Sequence, residues 1–148
     1  MTHHKTLQIS TRGKGFTNIT DAVASVVRES NVSVGLCSVF VMHTSASLVI
    51  QENADPAVLR DLARFFDRLV PELARGETQD DGFRYEHDDE GPDDMPAHIR
   101  SALTKTNETM PVQNGELALG VWQGLYLWEH RAAHHHRRLV VTVFGSSK

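Results

Sequence analysis

The chain has 148 residues, a length that suits one domain with its own core, and a formal net charge of −4. No apolar run approaches the roughly 20 residues that cross a bilayer as a helix, and Met1-Thr2-His3-His4-Lys5 lacks a signal-peptide apolar core. A cytoplasmic location with no membrane partner is the expectation. The charge is uneven: Glu77 to Asp94 holds nine acids against one base, Arg84. No basic footprint stands out, so nucleic acid is not an expected partner.

In chain order, Lys5 to Thr11 alternates weakly and reads as a first strand, with Leu7 and Ile9 on one face. Gly13 and Gly15 mark a turn. Asn18 or Thr20 can cap a helix that begins near Asp21, where Ala22, Val23, Val26 and Val27 recur at helical spacing. Leu36 to Met42 is a continuous apolar run, expected as a strand buried on both faces. The single cysteine, Cys37, lies in it and reads as core. Ser47 to Gln51 reads as the partner of that strand.

Asp55-Pro56 is a strong helix start, a carboxylate at the N-cap and a proline at the first helical position. Val58, Leu59, Leu62, Phe65, Phe66 and Leu69 then form one apolar stripe, and Pro71 ends it. The acidic segment comes next, either a solvated loop or a loop that partly lines a site. Met95-Pro96 opens a short helix with His98 in its first turn and Ile99, Ala102 and Leu103 as its buried face. The rest reads as β: Pro111 to Gln113, a hairpin turn at Asn114-Gly115, Leu117 to Val121, Gln123 to Trp128 and Leu139 to Phe144. The expected fold is a single α+β domain, rich in antiparallel sheet, with three helices.

Three histidines stand at expected element ends beside carboxylates or hydroxyls: His43 before Thr44-Ser45, His87 within Glu86-His87-Asp88-Asp89-Glu90, and His98 after Asp93-Asp94. Three imidazoles can hold a divalent ion and leave one position open. Each can equally be a hydrogen-bonded structural residue. Asp55 reads as a cap, whereas Glu52 and Asn53 are less easily explained that way. Gly124 inside a strand suggests close backbone approach or a bulge. Glu129 can be a general base, a supporting partner or half of a surface ion pair. His134-His135-His136 reads as an exposed turn between two strands. Trp122, Tyr126 and Trp128 read as core or subunit interface.

Gly35 to Ala46, Gln51-Glu52-Asn53-Ala54-Asp55-Pro56, Tyr85-Glu86-His87, Ala97-His98-Ile99 and Gly120 to Glu129, in that order, resemble the YjbQ-like family over roughly Gly13 to Gly145. The resemblance implies a small α+β protein that forms homotrimers. It implies secondary thiamine-phosphate synthase activity, the joining of a thiazole phosphate to a pyrimidine diphosphate with release of pyrophosphate. It implies a histidine-lined, metal-capable site: His43, His87 and His98 for a divalent ion such as zinc, with Glu52, Asn53, Gln123 and Glu129 as the polar catalytic residues. Here Gly91-Pro92-Asp93-Asp94-Met95-Pro96 precedes Ala-His-Ile, where the family usually has a Gly-Asn/Asp-rich stretch. Two other readings stay open: metal-assisted hydrolysis of a small phosphorylated or amide substrate, and a non-catalytic trimeric scaffold.

Overall fold

A computed structural model describes residues 1–147. Its elements are β1 (Thr2–Thr11), β2 (Gly15–Asn18), α1 (Thr20–Ser30), β3 (Val34–Val41), β4 (Ala46–Glu52), α2 (Pro56–Leu69), α3 (Asp94–Leu103), β5 (Asn107–Gln113), β6 (Glu116–Leu117), β7 (Gln123–Glu129) and β8 (His135–Ser146). The strands form two sheets, β1-β8-β3-β5-β6 and β2-β7-β4. Every strand pairing is antiparallel. The expected α+β class and three helices are observed, and no described helix is long and apolar enough to cross a membrane.

One apolar cluster joins the two sheets and α1. Cys37, Val39, Val41, Leu139, Val141 and Val143 come from the larger sheet, Leu48, Leu125 and Leu127 from the smaller one, and Val23, Val26 and Val27 from the helix. Cys37 is fully buried, and desolvation pushes its thiol up to about 11. It is core, as its neighbours in sequence indicate.

Local chemistry sets the helix ends. The Asp55 side chain accepts from the Ala57 N–H at 2.9 Å, and Pro56 occupies the first helical position of α2. At α1 the Asn18 side chain accepts from the Thr20 N–H at 3.0 Å, and Asn31, in the left-handed region, ends the helix.

Four expectations are corrected. β3 is buried on one face only: Cys37, Val39 and Val41 face the core, whereas Leu36 and Phe40 are exposed. An apolar run marks a strand without saying whether its second face meets this chain. β4 does not pair with β3. It pairs along its whole length with β7, and thereby starts the second sheet. The buried side of α3 is Pro96, Ala97, Arg100 and Ser101, with Leu103 exposed. Polar anchoring sets that rotation, because Arg100 donates to Asp67 and to the Val70 carbonyl and Ser101 to the Ala46 carbonyl. Finally, His135 and His136 belong to β8, opposite Thr11 and Ser10, and not to a turn.

Gly124 has the role its position in a strand suggests. A Cβ there would sit 3.1 Å from the Tyr126 ring and 3.3 Å from the Asn53 Cβ, so a larger residue would make both side chains shift by a few tenths of an ångström.

The α2 cap gives a direct test. Asp55→Ala is expected to cost about 1 kcal/mol of stability, read from chemical denaturation, with Asp55→Asn close to wild type because asparagine caps as well.

Candidate metal centre and its buried support

Asp94 opens α3, and His98 lies one turn later on the same helix face, so their side chains meet. Nε2 of His98 is 3.3 Å from Asp94 Oδ2. The acidic loop brings His87 to the same oxygen, its Nε2 2.5 Å away. His87, Asp94 and His98 are the one group of metal-capable side chains among the described residues whose ligand atoms all lie within 4.8 Å of one another.

The ring orientations are held. His98 Nδ1 donates to the Thr44 carbonyl at 3.1 Å, which leaves the Nε2 lone pair directed at the cluster. His87 Nε2 must carry a proton to donate to Asp94. That leaves His98 Nε2 and a carboxylate oxygen, two acceptors, face to face. A proton on His98 or a cation at the centre resolves the conflict.

Asp94 is 2 % exposed. Burial raises its pKa, but the hydrogen bond from His87 and the charges of Arg131 and His98 outweigh it and hold the carboxyl below the usual range. The hydrogen bond to Asp94 in turn raises His87 above the ordinary imidazole value.

Arg131 fixes the carboxylate from behind. Its Nη1 donates to Asp94 Oδ1 at 2.5 Å, its Nε to Asp93 Oδ2 at 3.0 Å and its Nη2 to the Glu90 carbonyl at 3.0 Å. The Arg131 backbone N–H donates to Glu129 Oε2 at 3.1 Å. Glu129 is 1 % exposed and takes two further bonds from Arg137, at 2.7 and 2.5 Å, and one from the Thr11 hydroxyl at 2.6 Å. Burial pushes Glu129 up, and these donors more than reverse the effect. Both Glu129 oxygens are occupied by donors and have no access to solvent, so the carboxylate is one half of a buried ion pair.

His43 stands outside the cluster. Its Nε2 accepts from the Arg138 N–H at 2.8 Å, and burial, then the Arg137 charge, lower its pKa. The third member of the cluster is thus a carboxylate, Asp94, where sequence reasoning places His43. The His43-Thr44-Ser45 segment contributes through the two residues after the imidazole: the Thr44 carbonyl receives His98, and the Ser45 carbonyl and hydroxyl receive Arg137.

Glu52, Asn53 and Gln123 gather elsewhere. Asn53 Nδ2 donates to the Val121 and Gln123 carbonyls, and Gln123 Oε1 accepts from the Gly120 N–H. Glu52 is opposite Gln123 in the β4–β7 ladder, whereas Ala46 is opposite Glu129. At about 3.3 Å per residue the two ends of β4 are roughly 20 Å apart. Within one chain these three residues do not join the histidines.

An open cleft of about 770 Å³ adjoins His87. Phe83, Tyr85 and Met95 give it apolar surface, and its charged lining is mixed, with Arg75 and Arg84 beside Glu86, Asp88 and Asp89 and Arg75 paired with Asp88 at 3.6 Å.

The fold and this histidine–carboxylate centre define a small two-sheet α+β protein with a candidate site at the junction of the acidic loop and α3. The chain belongs to the UPF0047 protein YjbQ-like family, whose model matches residues 5–146. It is 57 % identical over 143 residues to UPF0047 protein sll1880 of Synechocystis, covering 97 % of this chain and 92 % of that one. It is 41 % identical over 146 residues to YjbQ of Escherichia coli O157:H7, covering 98 % and 99 %. Among solved structures, a YjbQ/UPF0047-family protein of Clostridium acetobutylicum superposes with a TM-score of 0.78 at 34 % identity, over 96 % of this chain and 99 % of the other.

Two measurements probe the support. Arg137→Ala leaves Glu129 buried without its partner and is expected to destabilise by about 3–5 kcal/mol in denaturant unfolding. His130 is buried against Ser47, with Nε2 and the hydroxyl 2.8 Å apart, and burial, then the Arg100 charge, push it down to about 3. An unfolded histidine titrates near ~6.5, so the neutral form belongs to the folded state. This contribution to stability is whole above about pH 6.5 and is lost as pH falls from there through the folded value. The His130 ring resonances are expected to stay at their neutral position down to about pH 4 in an NMR titration.

Proposed function

We propose that the protein is a secondary thiamine-phosphate synthase, with a divalent ion, zinc foremost, on His87, Asp94 and His98. The observation that carries the metal is the convergence of two imidazole nitrogens and one carboxylate oxygen, with His98 Nε2 aimed at the carboxylate. Two nitrogens and an oxygen suit zinc and leave a position open for substrate. Arg131 behind Asp94 and the Thr44 carbonyl behind His98 are the outer partners that orient such ligands. The synthase chemistry rests on the family resemblance, and the cleft beside His87 is consistent with a small phosphorylated substrate.

In this reading the thiazole nitrogen attacks a carbon of the pyrimidine half. The carbon–oxygen bond to the diphosphate breaks, and its electron pair leaves with pyrophosphate. The reaction needs positioning and stabilisation of a leaving anion more than a protein nucleophile. A bound divalent ion supplies charge to the leaving oxygens. Arg84 presents a guanidinium group to phosphate oxygens, Arg75 is held to Asp88 at the cleft edge, Phe83 and Tyr85 offer flat surface to a heterocycle, and Arg131 keeps Asp94 in place and ionised.

A homotrimer completes the proposal. Val34, Leu36, Phe40 and Phe144 are exposed on the outer face of the larger sheet, Val121 and Trp122 are exposed beside Gln123, and no residue of α2 is fully buried. A second copy would cover such surface, and the Glu52–Asn53–Gln123 end of one subunit can then approach the histidine end of its neighbour. Light scattering is expected to return a trimer, and a monomer at micromolar concentration would remove this part.

The decisive assay is thiamine-phosphate formation by tag-free wild type and His98→Ala, with metal content measured on both. Loss of metal and a drop of about a thousandfold in rate are expected for the variant. Equal activity in both would end the site assignment. Wild type that is fully metallated yet inactive would end the synthase reading and favour metal-assisted hydrolysis. A stable, metal-free trimer would favour a scaffold.

A further inference from the structure

His134, His135 and His136 take no part in the centre above. His134 directly precedes β8, and His135 and His136 are its first two residues. His134 and His136 are both exposed, and their ring centroids lie 5.0 Å apart with the planes at 86°. His136 Nδ1 is 2.9 Å from the hydroxyl of Ser10, the residue directly opposite on β1. His135 instead directs its Nδ1 to the Ala133 carbonyl at 2.8 Å.

We propose that His134 and His136 form a second, bidentate site for a borderline transition-metal ion, with copper(II) bound most tightly. His136 stands on backbone that the β1 ladder holds, and His134, one residue before β8, brings its ring against it. In the Nδ1–H tautomer, His136 donates to the Ser10 hydroxyl and its Nε2 lone pair is free to ligate, the arrangement in which a second partner fixes a ligating imidazole. Holding that ring beforehand removes part of the ordering cost of binding. An all-nitrogen donor pair favours copper, nickel and zinc over magnesium and calcium, which take oxygen ligands, and copper leads in the usual order of divalent affinities. The site offers only two protein donors, so water would fill the other positions and the ion would exchange readily. The N-terminal histidines do not contribute: His4 is opposite Thr142, towards the far end of β1, roughly 20 Å from Ser10 by strand rise.

The test is titration of the tag-free protein with copper(II), followed by calorimetry and visible absorption. It uses wild type, the double variant His134→Ala/His136→Ala, Ser10→Ala, and the double variant His87→Ala/His98→Ala, each checked for fold by circular dichroism. Wild type is expected to show a weak class of sites with a bis-imidazole spectrum. The His134/His136 variant loses that class, Ser10→Ala weakens it about tenfold, and the His87/His98 variant keeps it. Copper binding by the His134/His136 variant equal to wild type would overturn the proposal. So would disappearance of the weak class in the His87/His98 variant alone. Because the last variant removes the other centre, failure of the thiamine-phosphate reading and failure of this site are read separately.

Discussion

The structure turns on the buried pair of Glu129 and Arg137. Glu129 ends β7 of the smaller sheet, and Arg137 lies in β8 of the larger one. Thr11 of β1 and Ser45, just before β4, complete the set, so one carboxylate and one guanidinium tie both sheets together. Taking two charges out of water is costly, and such a pair adds little net stability compared with apolar packing. Its value lies in direction. An apolar contact tolerates sliding, whereas a two-pronged guanidinium–carboxylate contact sets angle and register together. That setting passes from Glu129 to the Arg131 backbone, and from the Arg131 side chain to Asp93 and Asp94.

This chain of contacts explains why the candidate metal ligands lie where they do. Asp94 heads a short helix next to a long irregular loop, a place where side chains ordinarily move. Arg131 holds it from one side, and the Thr44 carbonyl holds His98 from the other. Both supports come from the ends of the β4–β7 pair, which the buried ion pair anchors. Only His87 is supplied by the loop itself.

Much of the fold is legible in the sequence because local chemistry decides it. Asp55-Pro56 marks α2, Asn114-Gly115 marks a hairpin, and the valines of α1 repeat at helical spacing. The illegible parts depend on partners distant in sequence. Nothing local in Ser47 to Gln51 says that it pairs with β7 and not with β3. The rotation of α3 is set by Arg100 and Ser101, whose acceptors at Asp67, Val70 and Ala46 are far away in the chain. At the site, His87 and His98 are visible as histidines beside acids, and the spacing of Asp94 and His98 on one helix carries the third member of the cluster. His43 misleads because its neighbours' backbone groups, which have no residue-specific signature, are what the site uses.

Cys37 has a separate consequence. It is the only thiol in the chain, fully buried in the central apolar cluster, and its raised pKa keeps it protonated at neutral pH. A thiolate is the species that reacts with alkylating or disulfide reagents. Labelling of the folded protein therefore waits for the core to open, and the labelling rate becomes a clock for that opening. The sequence thus carries its own single-site reporter of core breathing, with no engineered probe required.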